Sequence, residues 1–302
     1  MQTIIELKSK DEGVIHTSDE QKEQSTNEEL LTLDTMERMI EEAFTELGLK
    51  IVDMDDKVGQ SSVTFYPKQK KRSNWLLMRM KSKNIQILIH APHVSLNVPK
   101  HFYKDLVISK NLFHKYNLEM TDIGLLEFVK DYKYKVVYPK YSRLYCDVER
   151  FADDEKEIMS KYGEGVVYTH LYDGILFHKH DYKYKEKVMR CYHRYHNRLD
   201  RITKRLLRKT NKLIIIDLHS YSDKMASYFF KPPFPDVCIG IEKDYYDEDI
   251  VNNLINKIKQ MGLSVEINYP YSGSLVPNYV LNNKIDKKVV SIMIEINKRV
   301  YL

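Results

Sequence analysis

The sequence predicts an α/β protein built on a mixed, mostly parallel sheet flanked by helices. Three apolar runs carry that prediction: residues 85–89, 213–216 and 289–296. Each is short, rich in β-branched residues and nearly free of polar ones, which suits strands buried on both faces. Residues 184–208 and 247–260 have helical apolar spacing. The alternation of strand and helix is the pattern of parallel crossovers.

In chain order, residues 8–28 are polar and charged, and the first 30 residues are expected to form a flexible N-terminal arm. Residues 31–302 then form a single domain, with ample length for one core. Residues 32–49 show helical spacing through Leu33, Met36, Met39, Ile40, Ala43 and Phe44. Residues 63–66 before Pro67 read as a strand end, and the basic run 68–72 as a solvated turn. The strand 85–89 breaks off at His90, and Pro92 and Pro99 mark a loop there. Residues 121–131 read as a helix capped by Thr121 or Asp122. After a strand at 135–138, Arg143, Tyr145, Asp147 and Glu149 alternate and would share one face of a strand. Residues 151–185 are loop-rich, as functional lids often are. The basic helix 184–208 carries a core stripe of Val188, Cys191, Tyr192, Tyr195, Leu199, Ile202 and Leu206, and its His193 and His196 read as surface. Strands follow at 213–216, where the apolar run stops at Asp217, and at 237–241, 264–267 and 289–296, with a helix at 247–260 ended by Gly262.

Composition excludes several classes. The net charge of +5 is spread along the chain and forms no basic stripe, so nucleic acid is not an indicated partner. No apolar run approaches the roughly 18 residues of a membrane span, and the first residues lack a signal core. Cys146, Cys191 and Cys238 are distant in sequence and odd in number. They predict reduced thiols in a cytoplasmic protein.

The chemistry gathers where apolar strands end. His93 follows one strand, Asp217 and His219 end another on one face, and Glu295 lies near the end of the last. Arg143, Asp147 and Arg150 accompany a fourth. Parallel sheets bring such ends to one edge, where ligands bind. Two imidazoles suit Zn²⁺, an acid suits a general base, and arginines suit an oxyanion or a substrate carboxylate. Metal-assisted hydrolysis of an amide is the chemistry this inventory fits.

Seven segments in order resemble the N-formylglutamate amidohydrolase family: Pro92-His93 with Pro99; Ser142-Arg143 with Asp147, Glu149, Arg150 and Phe151; Gly165 to Thr169; Asp217-Leu218-His219-Ser220; Pro235 to Gly240; Asn268, Pro270, Gly273 and Pro277; and Glu295 through Tyr301. The resemblance spans residues 85–301 and implies a zinc-carboxypeptidase-like fold, of the phosphorylase/hydrolase-like kind. It implies zinc held by His93 and His219, Glu295 as general base, and Asp147 and Asp217 behind the ligands. Arg143 matches an oxyanion contact. Arg150, with Glu149, Ser220 and Asn268, matches the substrate pocket. Leu96 stands where carboxypeptidases place their acidic ligand, and Asn97 where some family members have one. The third ligand is therefore Asn97, Asp217 or a water. Glu149 replaces an Asn common in the family and alters the charge beside Arg150. The implied substrate is a small N-acyl amino acid, nominally N-formyl-L-glutamate. A zinc carboxypeptidase acting on a peptide or glutamyl end, and a non-catalytic binding protein on the same fold, are the rivals.

Overall fold

A computed structural model describes residues 49–51, 83–125 and 134–302. The expected arm, the helix over 32–48, the strand at 63–66, the basic run and the second half of the 121–131 helix lie outside them.

Seven strands form one sheet among the described residues: β1 (Leu49–Ile51), β2 (Lys83–His90), β3 (Lys135–Val137), β4 (Lys212–Tyr221), β5 (Val237–Ile241), β6 (Val265–Ile267) and β7 (Val289–Asn297). Their order is β1-β2-β4-β7-β5-β6, with β3 also pairing β2. Every pairing is parallel except β5 with β7. The sheet is therefore mixed and mostly parallel, as the apolar runs predict.

The helices are α1 (Lys110–Glu119), α2 (Tyr182–Leu207), α3 (Asp223–Ala226), α4 (Glu248–Gln260) and α5 (Asn278–Asn282). Local chemistry sets their starts. Ser109, Asp181, Ser222 and Asp247 each accept a backbone N–H of the first turn of α1, α2, α3 and α4.

Alternation along the strands divides the core into two layers. Ile214, Ile216 and Leu218 of β4 pack with Ile250, Val251, Leu254 and Ile258 of α4. Leu213 and Ile215 face the other way, among Tyr184, Val188, Tyr192, Tyr195, Leu199 and Leu206 of α2. Both faces of β4 are buried, so its run is continuous rather than alternating. Asp217 and His219 have the parity of Leu213 and therefore point to the α2 side.

Three expected elements differ. Residues 142–150 form turns and bends, not a strand. Tyr145 and Cys146 both return their N–H to the Ser142 carbonyl, so the chain curls there and cannot pair as an edge. Leu49 opens β1 rather than closing a helix. Residues 121–124 form a bend and a turn, with Leu125 the first helical residue: Thr121 donates its hydroxyl to the Asn117 carbonyl, and the Asp122 side chain is buried in the site described below. All three cysteines are free, as expected.

Gly240 shows why β5 has no side chain at that point. A Cβ there would strike the Gly273 carbonyl of the overlying loop and the Met293 side chain of β7. Gly240→Ala is expected to lower stability by about 1–3 kcal/mol through overpacking. A urea titration reads this as a lowered midpoint at unchanged slope.

Candidate active site

The site begins with the register of three parallel strands. His90 at the end of β2 pairs with Asp217 of β4, and His219 of β4 pairs with Glu295 of β7. Pro92 and His93 form the turn just past β2. The His93 carbonyl accepts the Asp122 N–H at 2.9 Å, which ties a second loop to the first. Lys298 donates to the Glu119 and Thr121 carbonyls, 2.8 Å each, and holds that loop from β7's side.

His93 and His219 lie with ring centroids 5.1 Å apart. Each turns Nε2 toward carboxylates. His93 Nε2 is 3.0 Å from Asp147 Oδ1 and 3.5 Å from Glu149 Oε2. His219 Nε2 is 3.1 Å from Glu149 Oε1 and 3.2 Å from Asp217 Oδ1. A carboxylate can only accept, so these contacts place a proton on each Nε2. Both Nδ1 atoms then face Asp122 Oδ2, at 3.9 Å from His93 and 3.5 Å from His219. Asp122 is buried; its Oδ1 accepts the Ser220 hydroxyl at 3.1 Å, and its Oδ2 makes no hydrogen bond. A buried carboxylate oxygen without a donor is costly unless something positive meets it. His93, Asp122 and His219 form a donor set close enough for a metal ion.

The electrostatics agree with that geometry. Burial lowers His219's affinity for a proton, but Glu149, Asp217 and Asp122 outweigh it and hold the imidazole well above its ordinary value. Both of its nitrogens face carboxylates, so positive charge is favoured there, as a proton or as a metal. Burial opposes ionisation of Asp122, Asp147 and Asp217. Their cationic neighbours overcome it and hold all three below the carboxylate range. Glu295 behaves oppositely: burial, reinforced by Asp122 and Glu149, pushes it up to about 8.

Asp147 is the hub on the arginine side. Its Oδ2 accepts Arg143 Nε at 3.1 Å, Arg143 Nη2 at 2.9 Å and the Tyr168 hydroxyl at 3.1 Å. Tyr168 in turn accepts Arg143 Nη2 at 3.2 Å and Arg150 Nη2 at 3.3 Å. Arg143 and Arg150 therefore converge on one phenol beside His93.

The structure thus brings together His93, His219, Asp147, Asp217, Arg143, Arg150 and Glu149, with Glu295 in register beside His219. Other expected placements are corrected. Asn97 is exposed and bonds through its backbone, to Ser95 Oγ and from the Ser142 N–H; the acid beside the imidazoles is Asp122. Asn268 is exposed, and its Oδ1 accepts the Ile241 N–H at 3.0 Å, bracing a left-handed turn with φ 57° rather than facing substrate. Ser220 donates its hydroxyl to Asp122, and Glu149 lies against both imidazoles. Sequence reasoning missed Asp122, His90 and Tyr168. Asp122 reads as a helix cap, His90 as core, and Tyr168 is one of 23 tyrosines.

Buried acid, imidazole and guanidinium groups thus meet at the strand ends of an α/β sheet, an arrangement typical of an enzyme site. Comparison with known proteins is more particular. The family model described as N-formylglutamate amidohydrolase matches residues 85–302, and the chain belongs to that family. The fold is also that of the crystal structure of N-formylglutamate amidohydrolase from Ralstonia eutropha JMP134. That similarity has a TM-score of 0.58 at 16% sequence identity, over 72% of this chain and 84% of that one. No curated protein matches the chain. No described helix is long and apolar enough to cross a membrane.

The metal-free protein should show the Glu295 shift as a pH dependence of stability. A carboxyl raised on folding binds its proton more tightly in the native state. Stability is therefore full below the unfolded value of 4.5 and falls as pH rises toward about 8. His219 adds loss above 6.5, and the depressed aspartates add loss only below about pH 4. Urea midpoints measured in chelator across pH 4.5–8 should decline, and Glu295→Gln should flatten the decline.

Proposed function

We propose that the chain is a zinc-dependent hydrolase of N-acyl amides, with N-formyl-L-glutamate as its nominal substrate. The observation that carries the reading is the pair of imidazoles turned Nδ1-first toward the unbonded Asp122 oxygen. His93, His219 and Asp122 would hold the ion, two neutral nitrogens and one carboxylate, which is a donor set zinc favours for catalysis. Asp122, Asp147, Glu149 and Asp217 lie against the two imidazoles, and the guanidinium groups of Arg143 and Arg150 meet only Asp147 of these, which leaves negative charge that suits a divalent cation. When bound, zinc supplies a Lewis acid that acidifies water and polarises a carbonyl. Membership of the family, and a solved neighbour that is itself called an N-formylglutamate amidohydrolase, support an amide as the bond cleaved.

The chain's own residues supply the rest. Glu295, whose affinity for a proton is raised by burial, takes a proton from the attacking water and returns it to the leaving nitrogen. Asp147 and the Glu149–Asp217 pair keep both imidazoles protonated at Nε2 and fixed in orientation. Arg143 uses Nε and Nη2 on Asp147 and Tyr168, which leaves Nη1 for the oxygen that becomes negative. Arg150 offers its guanidinium edge to a substrate carboxylate. Asp122 supplies the acid that the segment after His93 lacks, which favours a working site over a decayed one.

Zinc-loaded protein is expected to release amine from N-formyl-L-glutamate or a related N-acyl amino acid. Glu295→Gln should lower kcat by about 10²–10⁴-fold while retaining zinc. Full activity in Glu295→Gln would remove Glu295 from the mechanism. No turnover of any N-formyl or N-acyl amino acid by zinc-loaded wild type would sink the hydrolase reading.

A further inference from the structure

His90 lies outside every role assigned so far, yet it is fully buried beside the site. We infer that His90 is a positioning residue. It locks Asp217 so that Asp217 fixes the proton of His219 on Nε2 and leaves Nδ1 free for the metal. The inference rests on the zinc reading above and extends it one shell outward.

The tautomer of His90 follows from its two nitrogens. Its Nδ1 is 2.7 Å from Asp217 Oδ1, and its Nε2 is buried without a hydrogen-bond partner. A lone pair on Nδ1 would face the carboxylate at that distance, and a proton on Nε2 would meet nothing. Nδ1 therefore carries the proton and donates. Asp217 Oδ2 accepts the Leu275 N–H at 2.8 Å, so both of its oxygens are anchored. Oδ1 then lies 3.2 Å from His219 Nε2 and can only accept from it. The directions run one way: His90 donates to Asp217, His219 donates to Asp217 through Nε2, and His219 Nδ1 is the nitrogen left facing Asp122, where a metal would replace its proton.

A second metal is the competing use of this group, because His90, Glu149 and Asp217 also lie close enough to hold one. It is the poorer use. A cation there would have to displace the short His90–Asp217 hydrogen bond. It would also crowd the Nε2 proton of an imidazole whose other nitrogen faces the first site. The shared register of His90 and Asp217 on adjacent strands builds the hydrogen bond with no such displacement.

Three proteins test this: wild type, His90→Asn and His90→Leu. The Asn side-chain amide nitrogen sits where Nδ1 sits and can donate to Asp217; Leu fills space and cannot. Zinc affinity is read by competition with a chelator, folding by thermal melting, and kcat and KM by amine release. Wild type and His90→Asn should bind one zinc with affinities within about threefold. His90→Leu should bind roughly tenfold more weakly, the lower end of the effect of losing a partner of a metal-bound imidazole. Its kcat should fall at unchanged KM. If both variants weaken zinc equally, in step with their melting temperatures, His90 is only structural and the inference is wrong. Unchanged affinity in His90→Leu has the same meaning. Two zinc ions in wild type, one of them lost in both variants, would make the group a metal site instead. Wild type that binds no zinc would overturn the earlier reading along with this one, whereas a zinc-binding wild type beside an unaffected His90→Leu overturns this one alone.

Discussion

Everything in the site depends on how two imidazoles are held from behind. Asp147 on one side, and Glu149 with Asp217 on the other, fix the Nε2 protons of His93 and His219. That leaves the two Nδ1 atoms and one undonated carboxylate oxygen, Asp122 Oδ2, facing a common point. The arrangement is expensive without a positive charge there, because several carboxylates are buried together. Arg143 and Arg150 offset part of that cost by converging on Asp147 and Tyr168. The remaining negative charge is what makes the centre suited to a cation.

The sheet supplies the rigidity this requires. β2, β4 and β7 run parallel, so their carboxyl ends reach one edge, and their registers decide which residues meet. The loops then attach to that edge by backbone bonds, from Asp122 to His93 and from Ser142 to Asn97. Loops carry most of the chemistry, and the strands fix where they start. A one-residue slip of β4 would send Asp217 and His219 to the α4 face and dismantle the site.

Much of this is legible in the sequence, for a physical reason. A buried strand is apolar on both faces, so an acid or imidazole at its end stands out, and His93, Asp217, His219 and Glu295 stand out that way. The mixed, mostly parallel sheet follows from the same runs. The rest needs three dimensions. Asp122 follows a threonine in a polar loop, which reads as a helix cap; only the His93–Asp122 backbone bond brings it beside the imidazoles. Asn97 is reached by counting residues from His93, but its side chain turns out to solvent before Pro99. The alternation at 143–149 mimics a strand, yet the Ser142 carbonyl curls the backbone so that Asp147 and Glu149 reach behind two different rings. His90 reads as core because it is core, and its role depends on a partner 127 residues away.

The central claim is that Asp122, and not Asn97, completes the donor set with His93 and His219. Zinc per chain, measured after equilibration with excess zinc and removal of free ion, tests it most directly in wild type, Asp122→Ala and Asn97→Ala. One zinc is expected in wild type and in Asn97→Ala, with loss of stoichiometric zinc in Asp122→Ala and the fold retained. Full zinc in Asp122→Ala, or its loss in Asn97→Ala, would contradict the claim.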